Sequence, residues 1–383
     1  MRSSVVWVAA AMLLAACSSK PAPPASTALA RVDVKVPAAF SAAYPGGSRP
    51  LQVEDGFQVQ VFAAGLKGPR HLAQGPDGAI YVAEKDANRV SRLPDENQDG
   101  VADRVQTYVT STEAAHGVVW HEGALYVGAT DGIYRFTPPG LEPHKLVDLP
   151  PRGGHFTRTA RFGPDGRLYV TIGSTCNVCR ESDPRRAAMW VYNPDGTGGR
   201  LFAKGLRNTV DFDFHPETGA IFGVDNGRDQ LGDDRPPEEL NLITDGGDYG
   251  WPVCHGGDIV DPQFGKEGDC EGTIPPVLKM QAHSAPLGVQ FYTGEQFPAK
   301  FQGRLFITFH GSWNRSDRTG YKVVSVPFSN GKPAGPPEDF LTGWLAGEKV
   351  WGRPVGVLQT ADGALLISDD QGGVIYRISY VGS

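Results

Sequence analysis

The sequence predicts an all-β fold, a six-bladed β-propeller, and two observations carry that prediction. One strand–turn–strand pattern recurs six times along the chain, and the composition favours turns over helical stripes. Of 383 residues, 40% are hydrophobic and 21% charged, which is ample for a large core. The 49 glycines and 31 prolines lie among short apolar runs such as Ala79-Ile80-Tyr81-Val82, the signature of many short strands.

The first repeat runs from His71-Leu72-Ala73-Gln74 through Gly78 to Tyr81-Val82. The second runs from Gly117-Val118-Val119-Trp120 through Gly123 to Leu125-Tyr126-Val127. Thr159-Ala160-Arg161-Phe162, Gly166 and Tyr169-Val170 make the third, and Phe212-Asp213-Phe214, Gly219 and Ile221-Phe222-Gly223 the fourth. The fifth passes from Gly288-Val289-Gln290-Phe291 to Leu305-Phe306-Ile307, and the sixth from Val355-Gly356-Val357-Leu358 to Leu365-Leu366-Ile367. Three turns read Gly-Pro-Asp-Gly or Ala-Asp-Gly, at Gly75, Gly163 and Ala361, a hairpin signal. A unit that cannot bury its own faces must stack on its neighbours, which fits blades around an axis better than a two-sheet sandwich. Long insertions follow Gly219 and Gly303, and the alternating segment Gln52 to Phe62 is expected to close the ring against the last blade.

At the N-terminus, Arg2, an apolar run from Val5 to Leu14 and then Leu14-Ala15-Ala16-Cys17 resemble a bacterial lipobox. The expectation is a signal peptide over 1–17, a lipidated Cys17, a flexible Ser/Pro/Ala tether over 18–50, and the propeller over 51–383. The apolar run is shorter than the ~20 residues a bilayer core demands, so a lipid anchor is the expected membrane contact. Ser18 after the cysteine resembles lipoproteins sorted to the outer membrane, with the domain on the periplasmic face. A net charge of -7 with no long basic run argues against a nucleic-acid partner.

Cys176, Cys179, Cys254 and Cys270 form an even set for an oxidising compartment. Three connectivities are open, and local pairing, Cys176 with Cys179 and Cys254 with Cys270, is expected because each pair brackets a short segment. A zinc or redox dithiol is the rival for Cys176-Asn177-Val178-Cys179.

Innermost propeller strands line a central channel, so polar residues at the repeat starts should converge at one mouth. Those positions hold Arg70, His71, His116, His155, Arg158, Arg207, Asn208 and Arg353, an unusually basic ring suited to an anionic or carboxylate-bearing planar ligand. A scatter of surface His and Arg is the alternative.

Gly154-His155-Phe156-Thr157-Arg158-Thr159 followed by Phe162-Gly163-Pro164-Asp165-Gly166 is similar to the third blade of the soluble glucose and sorbosone dehydrogenase family, which uses pyrroloquinoline quinone (PQQ). Gly205-Leu206-Arg207-Asn208 resembles its G-x-R-N motif. Asp225-Asn226-Gly227, Glu238-Glu239-Leu240-Asn241 and Gly250-Trp251-Pro252 resemble its glycine-bearing loop and the acidic segment that follows. The likeness covers about Gln52 to Ser379, and Cys176-x-x-Cys179, His310-Gly311-Ser312-Trp313-Asn314-Arg315 and Asp369-Asp370 resemble the sorbosone dehydrogenase-like branch.

The resemblance implies PQQ and calcium as cofactors, and oxidation of a sugar or sugar-derived aldehyde or hemiacetal, with a cytochrome, copper protein or quinone accepting electrons. It implies His155 as general base, Arg207 beside the quinone oxygen, and Asn208 and Arg353 on the cofactor, with Arg158 or Arg315 as substitutes for a second clamping arginine that Val355 replaces. Calcium would take the backbone carbonyls of Gly227 and Arg228, although Asn226 and Arg228 depart from the family pattern. Separately, Asp95, Asn97, Asp99 and Asp103 have the alternate spacing of a structural calcium loop without its closing glutamate, and Asp225, Asp229, Asp233 and Asp234 form a further acidic cluster. Two other readings stand beside the dehydrogenase: a non-catalytic carbohydrate- or protein-binding propeller, and a calcium-dependent lactonase.

Overall fold

The computed structural model describes residues 28–47, 49–110, 112–151 and 153–382. The expected signal peptide and the expected lipidation site Cys17 lie outside the described residues. The chain is nearly all β, and its main sheets are six blades. Their innermost strands are Pro69–Gln74, Gly117–His121, Arg158–Phe162, Thr209–Phe214, Pro286–Phe291 and Pro354–Gln359, and each touches the next around a closed ring. These are the starts of the six sequence repeats, and each pairs with the second strand of its repeat as an antiparallel hairpin.

Phe57–Ala64 is the outermost strand of the sixth blade and pairs with Val374–Tyr380, so the expected closure of N-terminal onto C-terminal sequence is present. Closure is held by aromatic packing. The Phe57 ring meets Phe297, Phe301 and Phe340 edge-on at centroid distances of 4.8, 5.6 and 5.3 Å, tying the sixth blade to the fifth.

Close approach of neighbouring blades requires glycine at specific positions. A Cβ on Gly288 would lie 2.3 Å from the Val355 carbonyl oxygen, and one on Gly128 would lie 2.1 Å from that of Arg158. Backbone cannot yield at such contacts as a flexible side chain does, so the blades pack at this spacing only with glycine there.

The tether expected over 18–50 needs correction for its described part. Ala30–Val32 pairs with Leu51–Val53, Lys35 bridges to Gln60, and Phe40 and Tyr44 are buried in the core beneath the sixth blade. The alternation Val32, Val34, Val36 packs one face of this segment against that core, which overrides its turn-rich composition.

Candidate active site

Four of the six innermost strands shift register within their first residues, at Pro69/Leu72, Thr209/Asp211, Pro286/Gly288 and Pro354/Val357. Such bulges re-aim side chains at the rim of a barrel or ring. Here they bring Val210, Leu287 and Val355 together as a buried apolar floor across the channel. Above that floor lies a cavity of about 480 Å³. Val355, which stands where the family resemblance calls for a second arginine, packs against Val210 and Leu287 and does not itself line the cavity.

His155, Arg207, Asn208, Gly227 and Arg353 all line this cavity. His155 is half-buried, and its Nδ1 lies 3.1 Å from the Ser174 carbonyl and 3.0 Å from Ser174 Oγ. A carbonyl can only accept, and the Ser174 hydroxyl already donates to the Cys176 carbonyl at 2.7 Å. Nδ1 therefore carries the proton, which leaves the lone pair on Nε2. Burial and the neighbouring Arg207 cation pull the imidazole down to about 3, so the ring is neutral at physiological pH.

Arg207 is buried and nearly saturated. Its Nε donates to the Asn177 carbonyl (2.9 Å), Nη1 to the Asn226 carbonyl (2.9 Å), and Nη2 to Asn177 Oδ1 (3.0 Å) and Asp229 (3.3 Å). All but one of the guanidinium N–H groups are spoken for, and the remaining one is on Nη1. Asn208 is anchored through its backbone N–H to Asp225 at 2.5 Å. Arg353 donates to the carbonyls of His310 (3.1 Å) and Gly311 (2.6 Å) and makes no ion pair among the described residues. Its charge is thus available to an anion.

Residues that the sequence reading did not assign complete the wall. Lys85 lines the cavity beside Asp86, at 2.8 Å, and reaches an adjoining hollow under Phe156. Asp370 joins Arg70 and His310, each at 2.8 Å, and these two cations or donors hold its carboxyl well below the usual range. Glu238 accepts the N–H groups of Gly227 (2.7 Å) and Ala285 (2.9 Å), fixing the glycine-bearing loop. Trp313 stands 70% exposed at the rim. One signal marks several of these: Lys85, Asn226, His310 and Asp370 each follow directly on the second strand of a blade.

Other expected site residues lie elsewhere. Arg158 is fully buried behind the site, donating to the carbonyls of His155, Thr157 and Pro150, so it braces the loop and does not clamp a ligand. Arg315 turns to Asp233 and Asp234. The Arg228 side chain is buried in an ion pair with Asp261, which also meets His255 at 2.9 Å. It therefore points away from the cavity, and its sequence departure leaves the backbone carbonyls intact. The carbonyls of Gly227 and Arg228 accept no hydrogen bond among the described residues, which fits them to a hard cation.

The acidic cluster separates: Asp225 holds Asn208, Asp229 meets Arg207 and Asn314, and Asp233 and Asp234 meet Arg315. In the 95–103 loop, Asp95 accepts the N–H groups of Asp99 and Gly100, Asn97 accepts that of Asp99, Asp99 that of Val101, and Asp103 that of Glu96. Those side chains act here as turn-formers. Among the described residues, the one trio of metal-ligand atoms within 4.8 Å is Cys176, Cys179 and Glu181. The two sulfurs are bonded to each other, and Cys254 is bonded to Cys270, so both locally expected disulfides are present.

Asp369, next to Asp370, is fully buried and accepts the Arg353 backbone N–H at 2.8 Å. Burial pushes its carboxyl from 3.8 up to about 7. The folded state keeps this proton after the unfolded state has lost it. Its stabilising contribution is present below about pH 4 and is lost as pH rises through about 7. Wild type is therefore expected to lose stability relative to Asp369→Asn across that window in urea melts; parallel profiles would show that Asp369 ionises normally.

A family model described as TrAA12-like matches residues 51–381. An uncharacterised protein of Borreliella burgdorferi is 31% identical over 352 residues, covering 86% of this chain and 91% of that one. A PQQ-dependent sugar dehydrogenase of Hypocrea jecorina is 26% identical, covering 84% and 87%. A PQQ-dependent pyranose dehydrogenase of Coprinopsis cinerea is 24% identical over 87% of this chain, which spans 56% of that enzyme's length. The holo structure of the latter's PQQ domain superposes with a TM-score of 0.75 at 23% identity, covering 90% of this chain and 98% of that one, a likeness of fold.

Proposed function

The chain belongs to the TrAA12-like family, and from that premise we propose that it is a PQQ-dependent dehydrogenase that oxidises a sugar. The observation that carries the reading is the pairing, in one cavity, of a neutral His155 with Nε2 unprotonated and a buried Arg207 with one N–H unspent.

Bound there, the quinone supplies a two-electron acceptor for hydride from a sugar C–H. Lys85 and Arg353 suit its carboxylates, and the last Nη1 N–H of Arg207 suits a quinone oxygen on which charge develops. The carbonyls of Gly227 and Arg228 would hold calcium. His155 Nε2 takes the proton of the hydroxyl being oxidised, while Nδ1–H stays on Ser174 and keeps the ring oriented. An anionic ligand beside Arg207 offsets the repulsion that contributes to holding His155 down, so the proton affinity of Nε2 rises on loading. The substrate is an aldose, pyranose or sorbosone-like aldehyde, and the electrons pass to a periplasmic cytochrome, copper protein or quinone. Two disulfides support export to an oxidising compartment, with Cys17 as lipid anchor; Cys17→Ala should move the protein from the membrane to the soluble fraction.

The test is titration of the calcium-loaded protein with PQQ, read by absorbance and by bleaching of a dye acceptor across aldoses, pyranoses and sorbosone. Saturable binding with dye reduction is expected, and chelator should release the quinone. Folded protein that takes up no PQQ would move the assignment to a binding propeller.

A further inference from the structure

Both reactive side chains of the site are oriented by one small covalent loop. Cys176 and Cys179 are joined with Asn177 and Val178 between them, at a Cα–Cα distance of 6.2 Å, and both cysteines are half-buried. Asn177 gives Arg207 two acceptors, its carbonyl to Nε at 2.9 Å and its Oδ1 to Nη2 at 3.0 Å. The same Oδ1 accepts the Asp229 N–H at 2.7 Å, and Asn177 Nδ2 donates to the Asp229 carbonyl at 3.1 Å. Asn177 thus bridges a loop of the third blade to the 226–229 loop of the fourth. On its other side, the Cys176 carbonyl accepts the hydrogen bond of the Ser174 hydroxyl, which leaves Ser174 Oγ as an acceptor for His155 Nδ1.

A bridge that encloses two residues removes little entropy from the unfolded chain. Its effect is therefore local. Without it, the 176–179 backbone has to hold Asn177 in place against its own conformational entropy, and the bidentate seat of Arg207 loosens. The Cys254–Cys270 bridge, with a sequence separation of 16, has no such contact with Arg207 or His155.

We propose that the Cys176–Cys179 disulfide is a reducible clasp, with Asn177 as the positioning residue for Arg207, so that the thiol redox state of the surroundings sets the affinity of the cavity for PQQ. The proposal rests on reading the cavity as a quinone site. In the step itself, two thiol equivalents of a reductant form a disulfide of their own, the Cys176–Cys179 S–S bond breaks, and each protein sulfur gains a hydrogen. Reoxidation reverses it.

The experiment compares oxidised wild type, wild type reduced with dithiothreitol and then freed of it so that no free thiol reduces the quinone, Cys176→Ser/Cys179→Ser and Asn177→Ala, each loaded with calcium. PQQ affinity is read by absorbance, and amide hydrogen exchange at Asp229, whose N–H is held by Asn177, is read without any quinone. Reduction is expected to weaken PQQ binding about tenfold and to speed exchange at Asp229, both reversed by reoxidation. The double serine variant should show the same losses and no further response to dithiothreitol, which separates this bridge from Cys254–Cys270. Asn177→Ala should match it with the disulfide intact, since the Arg207 and Asp229 partners of its side chain are lost directly. Unchanged affinity and exchange on reduction would overturn the clasp, as would an Asn177→Ala protein that binds PQQ like wild type. If oxidised wild type takes up no PQQ, the cofactor reading fails and the exchange arm decides the clasp alone: faster exchange upholds it and unchanged exchange overturns it.

Discussion

Replacing His155 with alanine is expected to lower kcat by about 10²–10⁴-fold while PQQ stays bound. The ring contributes a base and not a clamp: among the described residues it is anchored on Ser174, and the cationic groups of the cavity, Arg70, Lys85, Arg207 and Arg353, belong to other elements. Loss of the imidazole also removes a group that burial and Arg207 hold neutral, so no buried charge is left behind. His155→Gln keeps a donor toward Ser174 but has no titratable nitrogen, and should be as inactive as the alanine variant. Steady-state kinetics with a dye acceptor, alongside a PQQ titration, check this. A His155→Ala enzyme that turns over at the wild-type rate would place the base elsewhere, with Glu238 and Asp370 the first residues to test.

Arg207→Ala is expected to damage three properties at once. It removes the N–H placed for the developing oxyanion, for which losses of about 10²–10³-fold in kcat are typical. It removes a cation from the cofactor site, so PQQ affinity falls with it. It also strands the carbonyls of Asn177 and Asn226 and one oxygen of Asp229 around a void, a loss of about 1–3 kcal/mol in stability. Asp229 is partly exposed, and solvent there limits the cost of its lost ion pair. Arg207→Lys separates the contributions. An ammonium keeps the charge but cannot fill the two-point seat on Asn177, so it should recover part of the PQQ affinity and little of kcat or Tm. Wild-type PQQ affinity in Arg207→Ala would remove this residue from the cofactor site.

His155, Arg207, Asn208 and Arg353 were readable in the sequence because each sits where a repeat begins, and repeat phase translates directly into position around the axis. The matching set, Lys85, Asn226, His310 and Asp370, sits at an equally regular place, one residue past the second strand. Antiparallel pairing brings the end of the second strand to the same edge as the start of the first, so both sets face one mouth. Reading one strand of each hairpin found half of the wall.

Arg158 failed for the opposite reason. It has the right phase but enters the strand after a loop that folds over it, and three carbonyls claim its guanidinium. Sequence phase assigns an end of the blade, while the direction of a side chain at that end depends on which buried carbonyls need donors.

Local rules alone settled the blade count and the hairpin turns, which depend on short-range periodicity, while chain proximity favoured, among three open connectivities, the two disulfides that are present. Only the tertiary structure decided that Val210, Leu287 and Val355 close the channel, that Arg228 turns to Asp261, and that Asn177 seats Arg207. These contacts join residues from different blades or distant loops. Their partners are chosen by packing and by the need to satisfy buried polar groups, which no window of neighbouring residues contains.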